Sequence, residues 1–344
     1  MSGGPGEAPS VAPDARWVLG VDSGGSGLRV ALGHPAPDGP PRQVGTVAVD
    51  SPVPTGPRGI DAGALLERLL PAARELLARA APHATGRVAA VCVGAAGMAT
   101  LGEDLRARLP QALRDALGTR RLALAADAVT AYAGALGERP GAVVAAGTGM
   151  IALGTDLVGW RRADGWGHLL GDCGGGAWIG RAGLEAAMRA HDGREGGSPA
   201  LLARAEAVLG PAAELPGVLY PRSDRPAVLA SFAPEVAACA TAGPEAPADP
   251  VAVGILRTAA TEIARSAAAV CPAGRDSAVA LTGGLFRVGE PLLGPLREEL
   301  RRRLPRARLL PAAGDPLAGA LLIAARLATD TLRLPHDAAL LHVV

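Results

Sequence analysis

Lysine and asparagine are absent from this 344-residue sequence, so arginine supplies all 34 permanently cationic side chains. A Walker-type phosphate loop, a protein-kinase fold and a Schiff-base mechanism each require a lysine at a defined position. The absence of lysine excludes these three classes of protein.

Aromatic residues and cysteines are also scarce. Aromatic residues make up 2% of the chain against 49% apolar residues overall, which indicates an Ala/Val/Leu core typical of an α/β protein. The four cysteines are far apart and show no CxxC spacing: Cys92, Cys173, Cys239 and Cys271. This pattern favours reduced thiols over disulfides or a metal site.

The formal net charge of +1 gives no electrostatic footprint for nucleic acid or an anionic membrane. No apolar run approaches the roughly 20 residues of a membrane helix, and residues 1–14 lack the pattern of a signal peptide. We therefore expect a cytoplasmic protein with no nucleic-acid or membrane partner. Residues 1–14 are rich in Gly, Pro and Ala and are predicted to be a disordered tail.

Two segments, 18–32 and 142–154, each read as apolar strand, glycine-rich turn and apolar strand. Such hairpins expose backbone N–H groups that can hold phosphate oxygens. The turn residues in question are Ser23, Gly24, Gly25 and Ser26 in the first hairpin, and Gly147, Thr148 and Gly149 in the second. Two such turns suggest a nucleotide clamped between two related halves.

The order of predicted elements supports a duplicated α/β unit, because βββαβα is followed by a second βββ-like start. We expect a first lobe at 15–119 and a second lobe at 120–314. A final helix at about 315–330 either joins the first lobe, with the rest of 315–344, or stands apart. Loops at the strand ends of both lobes should face a common cleft.

Asp22 follows an apolar strand and directly precedes the first glycine turn. Its carboxylate is predicted to bind Mg²⁺, directly or through water, and the alternative is a turn-capping role. Ser26 could donate its hydroxyl to a phosphate oxygen.

Asp127 follows the apolar strand 121–126 and opens a helix. It is either an N-cap or the general base that removes a proton from a hydroxyl nucleophile. The nearby turn 147–149 favours the base, since both should reach the same crevice.

The segment 161–180 joins an acidic residue, a glycine-rich turn and a helix start. Asp172, with the N–H groups of that helix, is predicted to bind hydroxyls of a polar ligand, and the alternative is a capping Asp. Trp166 offers either an apolar face for a sugar ring or a buried anchor. His168 is interpreted as a supporting hydrogen-bond partner rather than a base.

From about residue 16 to 330 the chain resembles the N-acetylglucosamine kinase and BadF/BadG/BcrA/BcrD ATPase family, within the actin/hexokinase/Hsp70-like superfamily. The specific motif is the run Gly165-Trp-Gly-His-Leu-Leu-Gly-Asp172 with the Gly-rich helix that follows. The resemblance implies a duplicated actin-like (ribonuclease H-like) ATPase fold. It also implies ATP- and Mg²⁺-dependent transfer to the 6-hydroxyl of an amino sugar, in a cleft that closes on substrate.

Site roles follow from the resemblance by position. Ser26 and Thr148 match phosphate-contacting residues, and Asp127 matches the base. Gly165, Trp166, Gly167 and Asp172 match sugar contacts. The adenosine-side turn is matched by Thr282, Gly283, Gly284 and Leu285.

The sequence departs from the family pattern at several positions. The usual DGGGTKT turn has Ser26 for its Thr, and Cys173 and Met150 replace a usual Glu and Ser. A sugar-binding Asn cannot exist here, and Thr55 is the candidate in its region. Met150 gives bulk and no donor to the sugar site, so N-acetylglucosamine, glucosamine and other hexoses stay open.

Other functions are also compatible with the family. One is an ATPase that acts on a protein partner, although nothing here has the paired-cysteine spacing of an iron–sulfur activator. A sugar-responsive regulator lacks support because no basic or helix-turn-helix-like extension is present. The expected partner is a small-molecule sugar, and a homodimer is left open.

Overall fold

The structure, a computed structural model, describes residues 17–25, 27–36, 39–56, 59–80, 87–243, 247–274 and 277–344. The predicted tail at 1–14 lies outside the described residues. The chain divides into two compact units, the first formed by residues 1–134 and 316–344 and the second by 135–315.

The first unit is built around a six-stranded sheet with the strand order β13-β7-β6-β1-β2-β3. Strands β1, β6 and β7 are parallel, whereas β2, β3 and β13 run antiparallel to their neighbours. A separate pair is formed by β4 and β5. The strands are β1 (Trp17–Gly24), β2 (Gly27–His34), β3 (Arg42–Val49), β4 (Thr55–Gly56), β5 (Gly59–Ile60), β6 (Val88–Ala95), β7 (Arg121–Ala126) and β13 (Leu341–Val343).

The helices of this unit are α1 (Ala62–Ala80), α2 (Met98–Leu101), α3 (Glu103–Leu117), α4 (Asp127–Leu136) and α12 (Pro316–Ala328). The C-terminal helix α12 packs closely on β1. A Cβ at Gly20 would overlap the backbone of Leu321, so only glycine admits this approach. Residues 17–21 are buried, as expected of a central strand covered on both faces.

The second unit contains a five-stranded sheet with the order β10-β9-β8-β11-β12, in which β8, β11 and β12 are parallel. Its strands are β8 (Gly141–Ala146), β9 (Met150–Thr155), β10 (Trp160–Asp164), β11 (Ala278–Thr282) and β12 (Arg308–Pro311). The first three form an antiparallel meander, which matches the predicted βββ-like start.

Helices make up most of the rest of the second unit. They are α5 (Gly176–His191), α6 (Pro199–Leu209), α7 (Leu215–Leu219), α8 (Arg225–Ser231), α9 (Ala233–Cys239), α10 (Pro250–Val270) and α11 (Glu290–Arg303), with short 3₁₀ helices at Ala212–Glu214 and Gly284–Val288. Helix α10 buries one apolar face in the core, with Leu256, Ile263 and Val270 at most 1% exposed.

The division between the units differs from the predicted boundary after residue 119. Strand β7 pairs with β6 in the first unit's sheet, and α4 follows it directly. The boundary at 134/135 falls inside the last turn of α4. Periodicity alone could not assign β7, because an apolar strand carries no signal for which sheet it joins.

The four cysteines form no disulfide. Burial raises the pKa of the Cys92 thiol far above its ordinary value, so this residue behaves as a small apolar side chain. Among the described residues, no helix has both the length and the apolar character that crossing a membrane requires.

Candidate active site

In the first unit, the glycine turn after β1 and Asp127 lie at the same edge of the sheet. The parallel strands place Ser23 beside Ala95 and Ala95 beside Ala126, so the carboxyl ends of β1, β6 and β7 coincide. Neighbouring strands are about 4.8 Å apart, which separates the two features by roughly 10 Å at the backbone. The glycine turn and Asp127 were both predicted site features, and the sheet brings them to one edge.

Asp22 is paired with Arg29, its direct cross-strand neighbour in the β1–β2 hairpin. The Arg29 guanidinium donates to Oδ2 of Asp22 from Nη2 at 2.6 Å and from Nε at 3.2 Å. The Asp22 side chain is 17% exposed and Arg29 is 40% exposed. Arg29 was not among the predicted site residues, although its position opposite Asp22 in a tight hairpin could have indicated it.

The other predicted residues of the first turn are placed only in part. Ser23 is buried, in the second-last position of β1. A Cβ at Gly24 or Gly25 would meet open space. Ser26 lies outside the described residues, and Thr55 is described only as a backbone position in β4.

Asp127 is the first residue of α4 and is half-buried. Its Oδ1 accepts the N–H of Ala128 at 2.9 Å, and its carbonyl accepts the hydroxyl of Thr130. An N-cap bond is made to the second or third helical N–H, so the bond to Ala128 is not of that type.

The turn Gly147–Gly149 of the second unit is closed by a bond from Gly147 N–H to Gly149 C=O at 2.9 Å. Thr148 is exposed at its tip. The first two N–H groups of α5, from Gly176 and Ala177, donate to the carbonyls of Gly147 and Thr148, each at 2.9 Å. This corrects the expectation that the helix start offers its N–H groups to a ligand, since these two bind the turn.

The predicted adenosine-side turn lies beside β8, the strand that leads into the turn Gly147–Gly149. It follows β11, which pairs with β8 so that Thr282 lies beside Ala145. Gly283 has a φ of +106°, and a Cβ there would overlap the carbonyl of Ala146. Gly284 is exposed, whereas the Leu285 side chain is buried, so only the backbone of Leu285 could face a ligand.

The loop after β10 turns on two glycines in the left-handed region, Gly165 and Gly167. Trp166 between them is 62% exposed, and the Arg162 guanidinium lies 4.3 Å from its ring centroid. The structure therefore excludes the buried-anchor alternative for Trp166. Arg162, which the sequence analysis missed, also donates to the carbonyls of Asp164 and Gly165.

Asp172 joins this loop to the turn Gly147–Gly149. Its Oδ1 accepts the N–H of Gly167 at 3.1 Å, and a Cβ at Gly149 would overlap its Oδ2. Burial raises the pKa of Asp172 and the Asp164 charge raises it further, while N–H groups of Gly167 and Met150 oppose the shift. The structure thus fixes a half-buried carboxylate directly beside the predicted phosphate turn.

The structure does not support the predicted contact between the Met150 side chain and a sugar. Its side chain is 2% exposed in the hydrophobic core, because the first residue of β9 turns its side chain into the helical layer. A side-chain contact with sugar is therefore unsupported, and the Met150 N–H reaches Asp172 instead. The Cys173 thiol has a pKa raised mainly by burial and then by Asp164.

Similarity to known proteins identifies the family of this chain. A family model described as the BadF/BadG/BcrA/BcrD ATPase family matches residues 19–324. The chain belongs to this family. Membership implies ATP as the nucleotide, and both glycine turns lie inside the matched residues.

A curated relative is the N-acetylmuramic acid/N-acetylglucosamine kinase of Clostridium acetobutylicum, 36% identical over 106 residues. The match covers 30% of this chain, and the chain spans about a third (34%) of that relative's length.

Solved structures cover far more of this BadF/BadG/BcrA/BcrD-family chain. A candidate N-acetylglucosamine kinase of Chromobacterium violaceum is 29% identical with a TM-score of 0.64, covering 91% of this chain and 99% of that one. A corresponding protein of Porphyromonas gingivalis is 18% identical with a TM-score of 0.62, covering 92% and 99%. The predicted actin-like ATPase fold is confirmed.

Proposed function

We propose that this protein is an ATP-dependent amino-sugar kinase that phosphorylates the 6-hydroxyl of N-acetylglucosamine. The observation that carries the proposal is the Asp172 carboxylate, held between Gly167 N–H and the turn Gly147–Gly149. A carboxylate fixed there can accept hydrogen bonds from sugar hydroxyls while the adjacent turn holds phosphate. The Chromobacterium and Clostridium relatives support the same substrate class.

In this proposal Asp127 is the general base. Its carboxylate accepts the proton of the 6-hydroxyl as that oxygen forms a bond to the γ-phosphorus, and ADP leaves with the bridging oxygen. Thr148 and the first turn contact phosphate oxygens. Thr282, Gly283 and Gly284 form the adenosine side.

The chain's residues fit Mg²⁺ as the phosphate-bound ion. Mg²⁺ binds through one or two carboxylates together with substrate phosphates and water. Within the described residues no group of three or more His, Cys, Asp or Glu side chains forms a metal cage, and Asp22 supplies one hard oxygen ligand beside the first turn. When bound, the ion would neutralise phosphate charge. Asp22 would bind it either after releasing Arg29 or while still paired with Arg29.

The Clostridium relative also gives N-acetylmuramic acid as a second candidate substrate. Glucosamine and other hexoses, and ATP hydrolysis coupled to a protein partner, are the remaining alternatives. An ADP-release assay with each free sugar and a no-sugar control separates them. We expect N-acetylglucosamine to exceed glucose by at least about tenfold in kcat/KM. Sugar-independent ADP release alone would contradict the kinase.

A further inference from the structure

Asp164 is the last residue of β10 and pairs across the sheet with Ile151, just beyond the turn Gly147–Gly149. Its backbone has a φ of +62°, which a short polar side chain tolerates better than a bulky one. The motif that carries the family resemblance begins one residue later, at Gly165, and assigns no role to Asp164.

The two oxygens of Asp164 bind two consecutive backbone amides on the far side of the loop. Oδ1 accepts the N–H of Asp172 at 2.5 Å, and Oδ2 accepts the N–H of Cys173 at 2.9 Å. Such charge-assisted bonds to a carboxylate are stronger than neutral ones. A Cβ at Gly171 would overlap Oδ1 of Asp164, so glycine is needed beside the contact.

These bonds fix the backbone from which the Asp172 side chain projects. Asp172 itself has a φ of +55°, an unfavourable conformation for a non-glycine residue that surrounding contacts must hold. In that conformation its carboxylate meets the Gly167 N–H and the Gly149 backbone. Loss of the contact from Asp164 would release Asp172 from this orientation.

We propose that Asp164 is the positioning residue that orients Asp172 toward the sugar, by bidentate binding of the Asp172 and Cys173 amides. The inference rests on the proposed function, because it assigns Asp164 to the sugar side of the same site. Asp164 acts through Asp172 and touches no substrate, so its removal should change sugar affinity far more than ATP affinity.

The test compares Asp164→Ala and Asp164→Asn with a matched control, Asp156→Ala. Asp156 also binds two backbone amides, those of Val158 and Gly159, but at the opposite end of β10. Sugar KM, ATP KM and kcat are measured, together with amide hydrogen exchange of peptides covering 165–175 and 156–160.

For Asp164→Ala we expect sugar KM to rise at least about tenfold, ATP KM to stay within about twofold, and exchange to increase in 165–175. Asp164→Asn keeps one acceptor oxygen, so its sugar KM and its exchange in 165–175 should lie between those of the wild type and Asp164→Ala. The asparagine variant also provides the test if the alanine variant does not fold. Asp156→Ala should increase exchange only in 156–160, with native sugar KM.

Native sugar KM in both Asp164 variants, or unchanged exchange in 165–175, would overturn the positioning role. A wild-type protein that phosphorylates no sugar would overturn the proposed function and the sugar-positioning role with it. The exchange comparison would then show separately whether the contact from Asp164 holds the loop.

Discussion

Asp127 begins α4 with a half-buried carboxylate, and its charge can be removed with little change in shape. We expect Asp127→Asn to lower kcat by roughly 10²- to 10⁴-fold while ATP binding is retained, as for the loss of a general base. Steady-state kinetics and nucleotide titration measure the two effects. Asp115→Asn, at an exposed position on α3, is the control, and near-native kcat in the Asp127 variant would remove this residue from the mechanism.

Asp172 should give sugar binding an acidic limb. Because burial raises its pKa above the ordinary 3.8, the carboxylate is protonated at a higher pH than an exposed Asp, and in its proposed role it then becomes a weaker acceptor for sugar hydroxyls. Sugar KM should therefore rise as pH falls through this raised pKa, and ATP KM should change less. The pH profile of sugar KM in Asp172→Asn should lose that limb; an identical limb in the variant would contradict the assignment.

At the scale of the element, helix α5 links the turn Gly147–Gly149 of the site to the neighbouring helix α8. Its first turn donates to the carbonyls of Gly147 and Thr148, and its next turn packs on α8. The contact with α8 is close, because a Cβ at Gly180 would overlap the carbonyl of Leu229. The position of the helix start therefore depends on small residues along its buried face.

A pair of glycine substitutions tests this packing. Gly180→Ala should lower the free energy of unfolding by about 1–3 kcal/mol, since the added methyl forces a backbone shift. Gly254→Ala is the matched control on α10, where a Cβ meets open space, and should raise that free energy by up to about 1 kcal/mol through helix propensity. Denaturant titration measures both, and equal changes in the two variants would contradict the packing argument.

At the scale of the whole molecule, nucleotide binding should stabilise the folded chain. A ligand that binds only the native state at 100 times its Kd contributes about 2.7 kcal/mol. We expect ATP with Mg²⁺ to raise Tm in scanning fluorimetry. Excess chelator should remove most of the shift and abolish turnover, because in the proposed reaction Mg²⁺ offsets the phosphate charge that develops during transfer. Added Mg²⁺ in excess of the chelator should restore both, and full activity in chelator would exclude the metal role.

The sequence by itself determined the local elements and the chemistry available to them. Apolar runs and glycine turns predicted the hairpins β1–β2 and β8–β9 and their tips, because strand and turn preferences depend on neighbouring residues in the sequence. The motif around Gly165 to Asp172 predicted the family. The absence of lysine limited the phosphate chemistry to backbone N–H groups, hydroxyls, arginine and metal.

The tertiary structure decided which of those residues meet. Sheet pairing placed β7 with β6 and so moved the unit boundary to 134/135. Packing buried the Met150 side chain, which had been predicted to contact the sugar, and left Trp166 exposed, which decided between the sugar-facing and buried-anchor alternatives. The orientation of Asp172 is set by Asp164 and Gly167 within its own loop and by the approach of the turn Gly147–Gly149, and the pairing of Asp22 with Arg29 is set by the register of the β1–β2 hairpin. The burial of Met150, the sheet that β7 joins and the approach of Asp172 to the turn Gly147–Gly149 depend on tertiary packing, which a local pattern of residues does not encode.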